Sequence, residues 1–291
     1  MPNDHRDLLE LVNGLPPLPL VATRVMVLAQ DPRTTAEELA RVVATDQSLT
    51  AKLIRLSNSA AYAFGKPCAS ARDAVQLLGF LEVRQIAITA SLMGIFAGSP
   101  DEDIMFDSDL FWGHSLTVAI AAEALARTTL AALPSDAFTA GILHDIGRLV
   151  IRQAMPEAFR TVGHVALAEG IPFHEAEQRV TGYSHELVGE ALARRWSFPE
   201  PLCQAIAHHH DVGGAPGSRG LCGLVAHANQ LVSDEGITSG YQAEPSTSDV
   251  EPTSAEAARL VGGMATILSR ASWFMDETLG RREMMPDRLV G

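Results

Sequence analysis

Residues 134–151 read PSDAFTAGILHDIGRLVI, and this stretch decides the fold class of the chain. Pro134 and Ser135 introduce a helix, because proline is accepted in the first helical turn. Apolar residues then continue at helical spacing as far as Ile151. Two ionisable residues, His144 and Asp145, stand side by side within this apolar run. The stretch therefore predicts a helix that carries a pair of polar side chains.

Helical periodicity continues on both sides of this stretch. Thr34 and Glu37 have the spacing of a capping box, in which each side chain bonds a free backbone N–H at the start of a helix. No segment shows clean strand alternation, and no internal repeat is present. We therefore expect an all-α fold, built as a multi-helix bundle. The other helical patterns are residues 20–28, 49–58, 71–78, 83–96, 110–126, 156–169, 173–180, 185–196, 199–209 and 221–232.

Clusters of helix-breaking residues divide the chain. Gly98, Ser99 and Pro100, followed by four acids among residues 101–107, indicate a boundary between subdomains. A later segment is rich in Ser, Thr, Gly and acids and has no periodicity, which is typical of a mobile loop. The expected parts are an N-terminal helical subdomain (15–100), a helical part with the histidines (105–235), a flexible loop (236–253) and a C-terminal helix (254–280).

Charge and composition exclude some classes of function. The net charge is -13, and the densest basic group is the pair Arg281 and Arg282. Such a surface repels phosphate backbones and anionic lipids, so we expect no direct nucleic-acid partner and no membrane partner. The longest apolar run, about residues 86–97, is shorter than the roughly 20 residues that span a bilayer. The N-terminus is polar and has no signal peptide, and the three cysteines form no CxxC pair, which indicates reduced thiols and a cytoplasmic protein.

Histidines and one aspartate are the residues that suggest chemistry. His114 follows Phe111 and Trp112 on a helix, His144 adjoins Asp145, and His185 begins a later helix. Imidazole and carboxylate together suit a divalent metal of borderline hardness, and paired ions can activate a water for attack on phosphorus. The run 208–210 is also explained as a solvated helix end, since cations suit a helix C-terminus. The isolated histidines are assigned to the surface: His5, His164 and His174.

The order of these residues resembles the HD superfamily of metal-dependent phosphohydrolases, and the upstream half resembles its HDOD family. The similarity covers about residues 15–232, and its strength lies in the number and order of the motifs. The motifs are LPPLP at 15–19, DQSL at 46–49, SNSA at 57–60, AVQLLG at 74–79, WGHS at 112–115, LHDIG at 143–147, HELVG at 185–189 and WSFP at 196–199.

The resemblance implies an HD-domain-like bundle with a metal site and assigns its residues. Active HD enzymes usually end the ligand set with an aspartate, and Asn229 stands at that position here. A neutral amide oxygen cannot balance metal charge, so a binuclear site should be weakened. Asp145 and Arg148 are the catalytic candidates if the protein is active, with Arg148 where many members have lysine. The implied metal ligands are His114, His144, Asp145, His185, His209, His210 and, in the degenerate position, Asn229.

The resemblance also implies a function. HDOD proteins resemble the output domains of bacterial signalling chains, and the family is thought to lack efficient hydrolase activity. We therefore expect a regulatory protein that binds a signalling partner in trans or a nucleotide ligand. The partner is expected in trans because no receiver domain precedes Leu15. The alternative is a metal-dependent phosphohydrolase acting on a nucleotide or cyclic dinucleotide, although the loop typical of cyclic-di-GMP phosphodiesterases is replaced at 211–214. The expected metal is iron, nickel, manganese or zinc.

Overall fold

The structure, a computed structural model, describes residues 5–59, 62, 67–97, 106–211, 219–240 and 263–279. The regular elements of these residues are helices and include no strand, which confirms the predicted all-α class. The helices are α1 (His5–Asn13), α2 (Leu20–Leu28), α3 (Ala36–Val43), α4 (Gln47–Ser57), α5 (Ala71–Phe96), α6 (Ser108–Thr129), α7 (Pro134–Leu143), α8 (Ile146–Ala154), α9 (Pro156–Glu169), α10 (Phe173–Thr181), α11 (His185–Arg195), α12 (Glu200–Ala207), α13 (Arg219–Asp234) and α14 (Met264–Leu279).

These helices form two compact units. One unit contains α2 to α5 and the end of α14 from Trp273, and α2, α3 and α4 all pack against α5. Gly79 has a φ of 81°, a left-handed conformation that glycine adopts without strain, and it breaks α5 into two helical segments. Among the described residues α5 alone has the length and hydropathy of a membrane span, but 56% of its most apolar window is buried in the protein, as in a core helix.

The predicted capping box is wrong by one residue. Thr35 caps α3: its side chain accepts a hydrogen bond from the Glu38 backbone, and the Glu38 carboxylate accepts one from the Thr35 backbone at 2.8 Å. The spacing from Thr34 to Glu37 is identical, so the sequence fits both registers. Thr34 instead donates its backbone N–H to the Asp31 carbonyl at 3.0 Å, and this turn places the helix start one residue later.

The other unit contains α1, α6 to α13 and the start of α14, and α6 is its central helix. Both α7 and α13 pack on α6, and α8 packs on α11. Gly141 lets α7 approach α6 closely, since a Cβ there would overlap the backbone of Ala119. The single helix predicted through 134–151 is in fact two, because α7 ends at Leu143 and α8 begins at Ile146. The break falls on the His–Asp pair.

Three predicted segments lie wholly or partly outside the described residues. The predicted boundary at 98–105 and most of the predicted loop at 236–253 lie outside the described residues. Within the predicted C-terminal helix, α14 occupies Met264–Leu279, and residues 254–262 are again not described.

The three cysteines are free and buried: Cys68, Cys203 and Cys222.

Candidate metal centre

Four imidazoles surround the carboxylate of Asp145. The Oδ2 atom of Asp145 lies 3.9 Å from His114 Nε2 and 3.4 Å from His144 Nε2. The Oδ1 atom lies 3.1 Å from His185 Nε2 and 3.4 Å from His209 Nε2. None of the five residues is more than 2% exposed. The structure thus brings five of the predicted ligands into one buried cluster, which we call the Asp145 centre.

Helix ends and one helix face position these side chains. His114 lies within α6, a helix that is buried along most of its length. His144 and Asp145 occupy the break between α7 and α8, where the backbone turns and both side chains point to one centre. His185 is the first residue of α11, and His209 follows the end of α12. The metal-type donors of the centre therefore come from helices that are distant from one another in the sequence.

Three of these rings are held in the tautomer that a metal ligand requires. A carbonyl oxygen has no proton to give, so each of these Nδ1 atoms must be the donor. In a neutral ring the Nε2 atom then carries a lone pair, and this atom faces Asp145. The hydrogen bonds run from His114 Nδ1 to Ile237 O at 3.0 Å, from His144 Nδ1 to Gly141 O at 2.7 Å and from His209 Nδ1 to Ile206 O at 2.8 Å.

The fourth ring, His185, is held by a carboxylate. Its Nδ1 lies 2.6 Å from Glu177 Oε2, which also accepts the His185 backbone N–H at 2.8 Å. A carboxylate behind a histidine is a common support for a metal-bound imidazole. Burial opposes the charged ring, but the carboxylates of Glu177 and Glu186 raise the pKa of His185 to about 10. An ion that binds His185 Nε2 must therefore displace a proton.

The electrostatics of the remaining donors favour a cation. Burial lowers the pKa of His144 to about 3, so this ring is neutral and keeps its Nε2 lone pair. Burial opposes the charge of Asp145, but the Arg148 guanidinium and the neighbouring histidines hold the pKa of this carboxyl well below its usual value. The Nε2 atoms of His185 and His209 face each other at 3.3 Å, so a proton or a metal ion is needed between them.

The donor set and its spacing fit a divalent ion. Bonds of about 2.0–2.2 Å to nitrogen and oxygen place neighbouring ligand atoms roughly 3.0–3.5 Å apart. Three of the four distances from Asp145 to imidazole nitrogens lie in that range, at 3.1, 3.4 and 3.4 Å. Imidazole nitrogen with a single carboxylate suits iron, nickel, manganese or zinc. When bound, such an ion would polarise an oxygen ligand or lower the pKa of a bound water.

Arg148 places a positive charge beside the Asp145 centre. Its Nε lies 3.6 Å from Asp145 Oδ2, and its terminal nitrogen donates a hydrogen bond to Ser239 Oγ. The guanidinium carbon lies 4.9 Å from the ring centroid of Phe173, a cation–π contact. Arg148 is only 4% exposed. These contacts engage the guanidinium of Arg148, one of the two catalytic candidates, within the protein.

The other two predicted ligands, His210 and Asn229, do not form an ion pair or a hydrogen bond with Asp145 among the described contacts. His210 is half-buried, and its ring stacks on His174 with centroids 5.0 Å apart. It still has a nitrogen within 4.8 Å of donor atoms of Asp145, His185 and His209. Asn229 is half-buried on α13, which packs against α6. Its Oδ1 is enclosed and accepts no hydrogen bond from the described part of the chain.

Two acids and one histidine beside the centre were not predicted there: Glu177 and Glu186 were not singled out from the sequence, and His174 was assigned to the surface. The surface prediction for His174 is wrong, since this ring is half-buried against His210, whereas His164 is exposed as predicted. Glu177 is fully buried, and Glu186 is 9% exposed. A signal for Glu177 was present, because it occupies an inward position of α10 at i+4 from Phe173, where an apolar residue is expected.

Comparisons with known proteins identify the family of the chain and similar folds. Residues 15–212 match the family model described as HDOD domain. An HDOD domain protein of unknown function from Geobacter sulfurreducens is 29% identical with a TM-score of 0.73, over 94% of this chain and 99% of that chain. A Shewanella amazonensis SB2B protein, provisionally named a phosphohydrolase, is 28% identical with a TM-score of 0.68, over 94% and 97%.

A curated relative is longer than this chain. An uncharacterized protein of Treponema pallidum (strain Nichols) is 26% identical over 223 residues. The match covers 76% of this chain but 42% of the relative, so the chain spans less than half of that protein's length. The family match contains all the residues of the Asp145 centre and His210, and it ends before Asn229.

Proposed function

This chain belongs to the HDOD family, and we propose that it is a regulatory protein that holds one divalent metal ion at the Asp145 centre. It acts by binding a signalling protein in trans or a nucleotide ligand, in the cytoplasm, without direct contact to nucleic acid or membrane. The net charge of -13 supports the last part, since an acidic surface repels both phosphate backbones and anionic lipids. Iron, nickel, manganese and zinc all suit the donor set.

Burial of the centre is the observation that carries this proposal. His144 and His185 are 0% exposed and Asp145 is 1% exposed. A hydrolase must bring a phosphate ester and a water to the ion, which requires an open coordination position. A closed, fully supported ligand shell is typical of an ion that stabilises or senses. The guanidinium of Arg148, the other catalytic candidate, already contacts Asp145, Ser239 and Phe173.

The second candidate function is a metal-dependent phosphohydrolase. It is supported by the assembled His/Asp donors and by the provisional name of the Shewanella amazonensis relative. Asn229, which stands where active relatives of this superfamily use a carboxylate, weakens it because an amide cannot balance the charge of a second ion. In that case Asp145 and Arg148 are the catalytic residues.

Metal content and hydrolysis together test the proposal. Protein without a polyhistidine tag is purified without chelator, and its metal content is measured by elemental mass spectrometry beside Asp145→Ala. His164→Ala is the matched control, since His164 is an exposed histidine of the same unit. We expect metal in the wild type and the control, loss of an ion in Asp145→Ala, and no hydrolysis of bis(p-nitrophenyl) phosphate or cyclic dinucleotides above the Asp145→Ala background.

Each other outcome has a defined meaning. Metal-dependent hydrolysis that Asp145→Ala abolishes would replace the regulatory proposal with the phosphohydrolase. Equal metal content in wild type and Asp145→Ala would remove the metal assignment. A nucleotide panel in thermal unfolding tests the ligand part, because a ligand that binds only the folded protein raises Tm by mass action.

A further inference from the structure

A second group of metal-type donors lies beside the Asp145 centre. It consists of His174 on α10, Glu186 on α11 and His210 after α12. Each residue offers a donor atom, and these atoms all lie within 4.8 Å of one another. His174 and Glu186 are not among the ligands implied by the resemblance to the HDOD family. We call this group the His174 cluster.

We propose that His174, Glu186 and His210 bind a second divalent metal ion, separate from the ion of the Asp145 centre. This inference goes beyond the proposed function, because the three donors do not include Asp145 or any imidazole in contact with its carboxylate. The cation would be of the borderline class, such as zinc, cobalt or nickel.

The donor chemistry of the cluster matches a known type of site. Two imidazoles with one carboxylate form the protein ligands of many zinc centres and leave a fourth position for a water or another oxygen donor. Tetrahedral ligands on bonds of about 2.1 Å stand about 3.4 Å apart. The donor atoms of the cluster lie within 4.8 Å of one another, so an ion must draw the most distant of them together by up to about 1.4 Å.

His210 stands beside both positions, because it offers a nitrogen within 4.8 Å of donor atoms of Asp145, His185 and His209 and also of His174 and Glu186. The four histidines in contact with Asp145 within 4.0 Å do not include His210. Its Nε2 atom is enclosed and has no hydrogen-bond partner in the described part of the chain. Its ring lies at 25° to the ring of His174, with centroids 5.0 Å apart. The two rings are stacked, so one of them must rotate about its side-chain bonds before both direct a nitrogen toward the same ion.

Exposure distinguishes the two positions. His174 and His210 are half-buried and Glu186 is 9% exposed, whereas no member of the Asp145 centre exceeds 2%. An ion at the His174 cluster therefore has access to solvent and can take an oxygen of a small anionic ligand at its fourth position. Glu186 Oε2 also lies 3.7 Å from His185 Nδ1, so the occupancy of one position alters the charge beside the other.

Cobalt binding to variants tests the proposal. Chelator-treated, tag-free protein is titrated with Co²⁺ and the stoichiometry is read from bound cobalt after gel filtration and from the visible absorption of the bound ion. The variant is His174→Gln, which removes the ligand but keeps a polar side chain. The control is His164→Gln, and circular dichroism verifies that each variant remains helical.

The expected result is about two Co²⁺ per chain in wild type and His164→Gln and about one in His174→Gln. Glu186→Gln should lose the same ion. Equal stoichiometry in His174→Gln and wild type overturns the second site. An ion lost in Asp145→Ala but not in His174→Gln supports the Asp145 centre alone. The reverse result supports the His174 cluster and overturns the metal part of the proposed function.

Discussion

The Nδ1 atom of His185 lies 2.6 Å from Oε2 of Glu177, and neither side chain is exposed to solvent. The same oxygen accepts the backbone N–H of His185 at the start of α11. Glu177 thus fixes both the ring and the helix end that bears it. The opposite ring nitrogen, Nε2, lies 3.1 Å from Asp145 Oδ1. The carboxylate of Glu177 on α10 therefore acts on the Asp145 centre through the ring of His185.

Removing the charge of Glu177 should weaken metal binding. We expect Glu177→Gln to lower metal affinity by about 10- to 100-fold, since a carboxylate behind a ligand histidine raises its basicity and fixes its orientation. Competition with a chromophoric chelator measures the Kd. Glu175→Gln on the exposed side of the same helix is the control and should leave the Kd unchanged. Equal affinities in all three proteins would contradict a supporting role for Glu177.

The stability of metal-stripped protein should depend on the His185 proton. Burial opposes that proton, but the Glu177 and Glu186 carboxylates raise the pKa of His185 from 6.5 to about 10. A folded-state pKa above the unfolded value means that this contribution is complete below pH 6.5 and is lost as pH rises through about 10. Urea unfolding between these pH values should show a falling free energy of unfolding. His185→Gln should flatten this fall, and an identical slope in the variant would disprove the assignment.

Gly147 should tolerate no side chain. A Cβ there would overlap the carbonyl of His185 and approach the backbone nitrogen of Gly189, so α8 and α11 could not keep their spacing. We expect Gly147→Ala to lower the free energy of unfolding by at least about 2 kcal/mol and to weaken metal binding. Gly223→Ala, which meets no described atom within 4 Å, should change stability by less than about 1 kcal/mol. Comparable effects of the two changes would argue against this close approach.

Arg270 should stabilise the fold through a buried carboxylate. Glu123 on α6 is fully buried and is paired with Arg270 at 2.7 Å and with Arg127 at 2.8 Å. Arg270→Met should cost about 1–3 kcal/mol, because one partner of a buried charge is lost. Arg160→Met removes a pair with the exposed Glu157 and should cost less than about 1 kcal/mol. Chemical unfolding of both variants compares the two, and an equal cost would refute the role of Arg270.

The Asn229→Asp variant tests whether the lack of a carboxylate at position 229 limits the rate of phosphodiester hydrolysis. Under the regulatory proposal, hydrolysis of bis(p-nitrophenyl) phosphate with added Mn²⁺ should stay at background, because no side chain of the Asp145 centre is more than 2% exposed. A metal-dependent rise in rate would instead favour the phosphohydrolase. The double variant with Asp145→Ala is the control, since any true gain must disappear when the central ligand is removed.

The sequence predicted the helical class well, because helix formation is governed by local spacing. The pattern 156–169 coincides with α9, and the separate patterns at 71–78 and 83–96 reflect the break of α5 at Gly79. The break between α7 and α8 was not predicted, because apolar spacing continues across it. A capping box also fitted two registers, and only the turn at Asp31 selected Thr35.

The candidate site was predictable in its residues but not in its geometry. The order of the motifs pointed to His114, His144, Asp145, His185 and His209, and the structure brings these five together. Glu177 was overlooked although its i+4 spacing from Phe173 places it on the inward face of α10, whereas His174 adjoins Phe173 and only its packing against His210 shows that it is half-buried. His210 was assigned to the same ligand set; its nitrogen lies within 4.8 Å of donor atoms of Asp145, His185 and His209, and its ring stacks on His174.

The sequence by itself determined the fold class and the family and named most of the candidate donors, since periodicity and motif order can be read directly along the chain. Only the tertiary structure decided which nitrogen each ring presents. The Nδ1 atom of His114 is held by the carbonyl of Ile237, 123 positions away, and Arg148 is held by Ser239, 91 positions away. Such contacts arise when helices distant in sequence bury their faces together, so tautomer, charge and exposure at the site follow from packing.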